Sequence, residues 1–414
     1  VGPDALGAVP LLFPLYMLIV ALATLVSGGM SSILARHLGA EDHTAARRIF
    51  AGAHGMALCV SGLLILGYLL IGGPLTYALA SGSTELAEMA QTYLAITAFM
   101  SPLAFILAVN SDALRNEGRV GFMAARSLPV ARSNIGFNYV LIAWLGMGVA
   151  GSAYGTALAQ LLALSIIMGY RLSGRATLHP SAVRQHALVH GWGRILALGA
   201  PQSLNFIGIA LGASAVIVAL QMLNQPGYEA TVSAYGMVTR VLTFGFLPLL
   251  GMTHAVQSIV GNNYGAQSWA RSDQSLRIGI AIAFAYCVLL QILLTGFAMP
   301  IGCWFVEDPA VLEIFARILP LNVLMLWLAG PLIIIATYFQ AIGNASRAAI
   351  LGLTKPYAFA LPLTFVLPLF WGETGIWLAG PVAEILMAGL TVLVLGQAAR
   401  ALNLRRGLFT APAT

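Results

Sequence analysis

The chain has 414 residues, of which 59% are hydrophobic and only 8% charged, and its mean hydropathy is +0.88. That balance excludes a water-soluble globule, whose surface needs far more polar side chain than this sequence holds. The net charge of +6 does not point to nucleic acid, because the basic residues lie between apolar runs and form no single solvated patch.

In chain order, stretches apolar and long enough to cross about 30 Å of hydrocarbon as helices cover 9–34, 50–72, 89–110, 121–145, 149–170, 195–222, 231–258, 278–304, 315–340, 349–370 and 376–397. Lipid offers backbone groups no partner, so these spans predict an all-α polytopic membrane protein. The 44 glycines and 19 prolines predict close helix crossings and kinked or broken spans. Cys59, Cys287 and Cys303 fall in or beside apolar runs without metal-ligand spacing, so no disulfide framework, metal site or cofactor is expected. The opening Val1-Gly2-Pro3-Asp4 has no basic segment of the kind that starts a cleavable signal.

All basic residues except Arg126, Arg132, Arg240 and Arg317 gather at one alternating set of span ends, among them Arg36, Arg47, Arg48, Arg115, Arg119, Arg171, Arg347, Lys355 and Arg400. The opposite ends carry Asp4, Glu85, Glu88, Glu229, Glu307, Asp308, Glu313 and Glu373. The excess of basic residues on cytoplasmic loops then predicts a bacterial inner-membrane protein with Val1 outside and the C-terminus in the cytoplasm.

The chain also repeats itself. A shift of 226 lays Ser32-Ile33-Leu34 and Leu38-Gly39-Ala40 on Ser258-Ile259-Val260 and Tyr264-Gly265-Ala266. Neighbouring shifts match Ala113 to Asn116 with Ala341 to Asn344, Arg119 with Arg347, and Gly148, Gly151 and Gln160 with Gly372, Gly375 and Glu384. Both copies run the same way through the membrane, which predicts a parallel repeat of the kind transporters use. The lobes are expected over 1–175 and 195–414, joined by a cytoplasmic linker over 176–194. The second lobe then has six spans and the first only five, so the repeat predicts a further span ahead of Val1.

These pieces together resemble the multidrug and toxic compound extrusion (MATE) family. The resemblance rests on Asp4-Ala5-Leu6-Gly7-Ala8-Val9, Leu38-Gly39-Ala40-Glu41 to Ala46-Arg47-Arg48, and Leu114-Arg115-Asn116-Glu117-Gly118-Arg119. It rests further on Gly146 to Gly151, Asn262-Asn263-Tyr264-Gly265-Ala266 and Tyr338 to Gly343. It implies two pseudo-symmetric six-helix lobes, twelve helices of which about eleven are present in this chain, a central cleft, and antiport of amphipathic, often cationic drugs against sodium or protons. A small amphipathic cargo, membrane lipid and a monomeric state are the partners and assembly it implies.

The family's ion site, carried over to this sequence, falls on Asn134, Asn138 and Thr156. Spacing of four puts the two amides on one helix face, where they suit a cation or a protonated carboxyl, and equally suit hydrogen bonding between helices. Family members often have Asp where Asn138 stands. Arg126 is placed near the inner end of its span and Arg132 near mid-membrane, where a charge needs water or a partner. In the second lobe Glu384 is the clear intramembrane carboxylate, and its depth predicts an ion pair with Arg240. Other intramembrane polar residues expected to reach the cleft are Asn110, Gln160, Gln221, Gln257, Asn322 and Gln340. Two rival readings stand beside export: a flippase for a lipid-linked saccharide or another amphipathic substrate, and an intramembrane hydrolase built on Ser214 and His254. The hydrolase needs a nucleophile and base within hydrogen-bond reach, which sequence does not supply.

Overall fold

A computed structural model of the chain describes residues 13–79, 84–223, 226–402 and 405–409. The run Asp4 to Val9 and the side chain of Glu85 lie outside the described residues. The chain divides into two compact units, Val1–Ile207 and Gly208–Thr414.

The first unit contains α1 (Phe13–Gly39), α2 (His43–Leu79), α3 (Thr84–Phe99), α4 (Ser101–Asn116), α5 (Val120–Tyr139), α6 (Gly148–Leu172), the short α7 (Ala182–Gln185) and the start of α8 (Trp192–Leu223). A π-helical turn, Val140–Trp144, continues α5. The second unit holds the rest of α8, α9 (Tyr228–Gly265), α10 (Trp269–Gly296), α11 (Ala298–Gly302), α12 (Pro309–Asn322), α13 (Leu326–Ala341) and α14 (Ala345–Leu353). A longer π segment, Thr354–Ala360, then leads into α15 (Leu361–Val366), α16 (Pro368–Trp371) and α17 (Glu373–Leu402).

Among the described residues 8 helices are long and apolar enough to cross a membrane, and the bent pairs α3–α4 and α12–α13 raise this to 10. The predicted span 121–145 is helical but does not meet that test, since Arg126 and Arg132 dilute its apolar character. Each bend has a local cause. Met100 ends α3, and Pro102, lacking an N–H, opens α4. Pro320 precedes the break between α12 and α13, where Gln291 from α10 restores the lost bonding: its Nε2 donates to Leu324 O at 2.7 Å and its Oε1 accepts from Trp327 N at 3.1 Å. Such repair is what allows irregular backbone to persist at membrane depth.

The repeat read in sequence is also a repeat of backbone geometry. Helices α1 and α9 end at Gly39 and Gly265, and left-handed residues follow at Glu41 (φ 58) and Gln267 (φ 55). Gly148 (φ 54) at the start of α6 matches Gly372 (φ 56) before α17, while Gly118 (φ 75), two residues past α4, stands on Gly343 (φ 85), two past α13, three residues out of step with the sequence match of Asn116 to Asn344. The two bent pairs turn by 49° and 48°.

In the first unit Met30, Ile33, Leu34, Phe50, Phe105 and Leu114 are fully buried where α1, α2 and α4 meet. The start of α8 belongs here too: the Cα of Gly199 lies so near the Leu25 carbonyl, and that of Gly29 so near the Ile195 carbonyl, that a Cβ at either would collide with backbone. The division between units therefore falls inside α8. In the second unit one core gathers Val260, Leu276, Ile334, Tyr338 and Phe339, and a second gathers Ala234, Val238, Phe315, Ile318 and Trp377.

Candidate functional site

Asn134 and Asn138 meet on the face of α5 that packs on α6. Asn138 Nδ2 donates to Asn134 Oδ1 at 3.4 Å, and Asn134 Nδ2 reaches Gly155 O at 3.5 Å. Gly155 makes this approach possible, because a Cβ there would strike the Asn138 side chain. Asn138 Oδ1 is buried without a hydrogen-bond donor among the described residues, leaving an acceptor in the seam. Thr156 is the next residue on α6 but is exposed, with its hydroxyl given to Ser152 O at 3.0 Å. The structure thus brings the two amides together and leaves the threonine beside them.

The same seam takes Arg126, whose Nη1 lies 3.4 Å from Ala163 O and whose Nε is buried without an acceptor. Arg132, on the opposite side of α5, is exposed. Neither arginine is ion-paired among the described residues.

A second polar group lies where α2, α4, the end of α6 and the segment after it meet, and its central residue was read from sequence only as a loop charge. Arg171 is completely buried near the end of α6. Its Nη1 donates to Glu117 Oε1 at 2.8 Å and Leu178 O at 2.6 Å, its Nη2 donates to Asn110 O at 3.2 Å, and its guanidinium lies 4.9 Å from the Phe50 ring centroid. Glu117 Oε2 accepts from Thr177 N at 2.8 Å. Next to it, Asn110 Nδ2 donates to His54 Nε2 at 2.9 Å, so the hydrogen of that ring sits on Nδ1 and goes to Phe50 O at 2.8 Å. Asn110, expected to face a cleft, is therefore buried in helix packing, and the segment after α6 is tied to the unit at Thr177 and Leu178.

In the second unit the expected ion pair is corrected. Glu384 on α17 is buried, but its partner is Lys355, not Arg240. Arg240 is exposed on α9 and carries no ion pair among the described residues. The depth argument was blind to the direction in which Arg240 leaves its helix. Lys355 had been grouped with the inner span ends, yet it stands ten residues into its span, on the π segment that α17 packs against. Its signal in sequence was plain: it is the one lysine in the chain.

The remaining polar candidates divide by burial. Gln257 and Gln340 are buried inside the second unit, Gln160 and Asn322 are half-buried, and Gln221 is exposed. Asn322 Nδ2 donates to Ile318 O at 3.0 Å, one turn back on its own helix beside the α12–α13 break. Ser214 likewise gives its hydroxyl to Ala210 O at 3.2 Å.

A duplicated set of apolar helices with polar side chains placed inside the spans defines a polytopic membrane protein of the secondary-transporter class. The chain belongs to the MatE family, the MATE transporters of the multidrug/oligosaccharidyl-lipid/polysaccharide exporter superfamily: the MatE model matches residues 1–140 and 204–366. It is 28% identical over 412 residues to the FAD transporter of Shewanella oneidensis, covering 96% of this chain and 87% of that one. It is 26% identical to the probable multidrug resistance protein YoeA of Bacillus subtilis, covering 92% and 83%. Its fold matches the outward-facing conformation of a multidrug resistance MATE transporter with a TM-score of 0.89 at 23% identity, over 98% and 90% of the two chains. It also matches the MATE multidrug transporter DinF-BH, with a TM-score of 0.87 at 25% identity and the same coverage.

Proposed function

We propose that the chain exports small amphipathic molecules across the bacterial inner membrane, driven by inward movement of sodium or protons and exposing the cargo site alternately to the two sides. The observation that carries this reading is the match to MatE over both halves, together with relatives named for multidrug resistance. Asn134 and Asn138 supply carbonyl oxygens for the coupling cation in the first lobe, with the unpartnered Asn138 Oδ1 facing the seam, and Glu384 supplies a carboxylate in the second. The functional lobes are residues 1–175 and 195–414, joined by 176–194. The test is proteoliposomes loaded with a cationic dye and given a sodium or a proton gradient. Dye movement that follows one gradient and is lost in Asn138→Leu supports the reading, and no movement under either gradient rejects it.

A second reading has its own support. Arg126, Arg132 and Arg240 lie in spans without carboxylate partners among the described residues, and fixed positive charge repels cationic cargo while favouring phosphate or carboxylate. The Shewanella relative is named for FAD, which bears a pyrophosphate. Competition in the same proteoliposomes between the cationic dye, FAD and a lipid-linked saccharide separates the cargo classes.

A further inference from the structure

Four carboxylates of the described residues are paired with Arg or Lys. Arg115–Asp112, Arg171–Glu117 and Arg317–Glu373 sit at span ends and use arginine, whereas Lys355–Glu384 lies within spans and uses the chain's one lysine. Glu384 is eleven residues from the outer start of α17 and Lys355 ten from the inner start of α14, so each stands roughly 15 Å from its end. If neutralising a buried carboxylate were the whole requirement, arginine would satisfy it better, as Arg317 does by giving Nη2 to both oxygens of Glu373 at 2.9 and 3.1 Å. Lysine instead brings a compact charge on a flexible stem, which contacts only Oε1 of Glu384.

The surroundings suit an occupant that leaves. The Glu384 side chain is 9% exposed and that of Lys355 36%, so the lysine is the more open partner and the carboxylate the more enclosed one. Lys355 sits on a seven-residue π segment that contains Pro356, where the regular ladder is already interrupted. On α8, Gly208 leaves space beside this segment, since a Cβ there would come within 2.7 Å of Pro356. Cys287 of α10 interacts electrostatically with Glu384, and beside it stands Tyr286; the elements packed against the pair also carry Tyr357 on the π segment, Tyr338 on α13, Arg347 on α14 and Glu313 on α12, with Arg400 at the far end of α17. Arg317 and Glu373 are engaged with each other at the outer end.

We infer that Glu384 is an exchangeable site for a monovalent cation, with the Lys355 ammonium as its resident occupant. A proton or sodium ion binding the carboxylate takes the place of the ammonium, which moves to the open side and keeps its own proton, so the site gains one positive charge. The inference rests on the coupled-export reading but is tested apart from it. Reductive methylation of the purified protein with 13C-formaldehyde marks Lys355, whose signal is identified by its loss in Lys355→Arg. The Lys355 methyl signal is expected to move toward its position in Glu384→Gln when sodium chloride replaces choline chloride, if sodium is the ion, or on acidification in choline chloride, if the proton is. A signal unchanged by both, in a protein where Glu384→Gln does shift it, overturns the inference, as does a Glu384→Gln signal identical to wild type. Flux in the same preparation is read separately: a responsive signal without any transport sinks the export reading alone. Lys355→Arg, which can hold both carboxylate oxygens, should stay folded and lose gradient-driven flux several-fold. A Lys355→Arg protein with full gradient-driven flux also overturns the inference.

Discussion

The Arg171 network makes a strong prediction about stability. Replacing Arg171 by Met keeps the apolar stem but leaves the Glu117 carboxylate buried with only the Thr177 amide, and strips Leu178 O and Asn110 O of a donor. Breaking a fully buried ion pair from one side costs about 3 to 5 kcal/mol, because the surviving charge stays desolvated. The orphaned carbonyls add about 1 kcal/mol each where water cannot reach them. Arg171→Met is therefore expected to cost about 5 to 7 kcal/mol in all, a large share of the stability of an ordinary domain. The double variant Arg171→Met with Glu117→Leu should recover much of the ion-pair part, since no lone charge remains. The assay is reversible unfolding in mixed micelles of a mild and a denaturing detergent, followed by tryptophan fluorescence and read as a double-mutant cycle. A single variant within about 1 kcal/mol of wild type, or a double variant worse than both singles, refutes the reasoning.

Other outcomes follow from packing and bonding. Gly199→Leu should block the α1–α8 approach and leave little monodisperse protein on size-exclusion chromatography, while Gly212→Leu, with open space around it, should not. Gln291→Leu removes both bonds that repair the α12–α13 break, and a loss of about 1 to 3 kcal/mol is expected in the same micelle assay. Trp192→Phe removes the indole N–H from Gly52 O and Leu188 O; faster proteolysis of the segment 173–191 would register its release. Arg132→Gln should leave thermal stability unchanged, because the side chain is exposed and has no ion pair among the described residues, and should raise cationic-dye flux relative to FAD if fixed charge selects the cargo.

Most of the architecture was readable before any coordinates. Span positions come from hydropathy, which lipid enforces strictly, and the parallel repeat comes from matched turn residues whose backbone conformations recur. Side-chain partners were harder to read, for a geometric reason. Depth along a helix follows from counting residues, but direction around it depends on which neighbours pack there, so Arg240 was paired with Glu384 where the structure pairs Lys355. Lys355 was overlooked because it was counted with the basic residues at the span ends, although its span begins ten residues earlier at Ala345. Arg171 looked like one more cytoplasmic charge because positive-inside counting treats all basic residues near a span end alike. Its burial depends on Glu117 and on the stretch of chain after α6 returning to meet it. Asn134 and Asn138 were legible as a pair because a four-residue spacing fixes both depth and direction.

The matched left-handed turns at Glu41 and Gln267 make the two halves a pair of controls for one another. Glycine at either position relieves the same backbone conformation in the same kind of turn, so Glu41→Gly and Gln267→Gly should stabilise by similar small amounts. Where paired substitutions diverge, the difference reports what each half has acquired since duplication. That comparison separates shared scaffold from specialised function within one polypeptide, without recourse to a second protein.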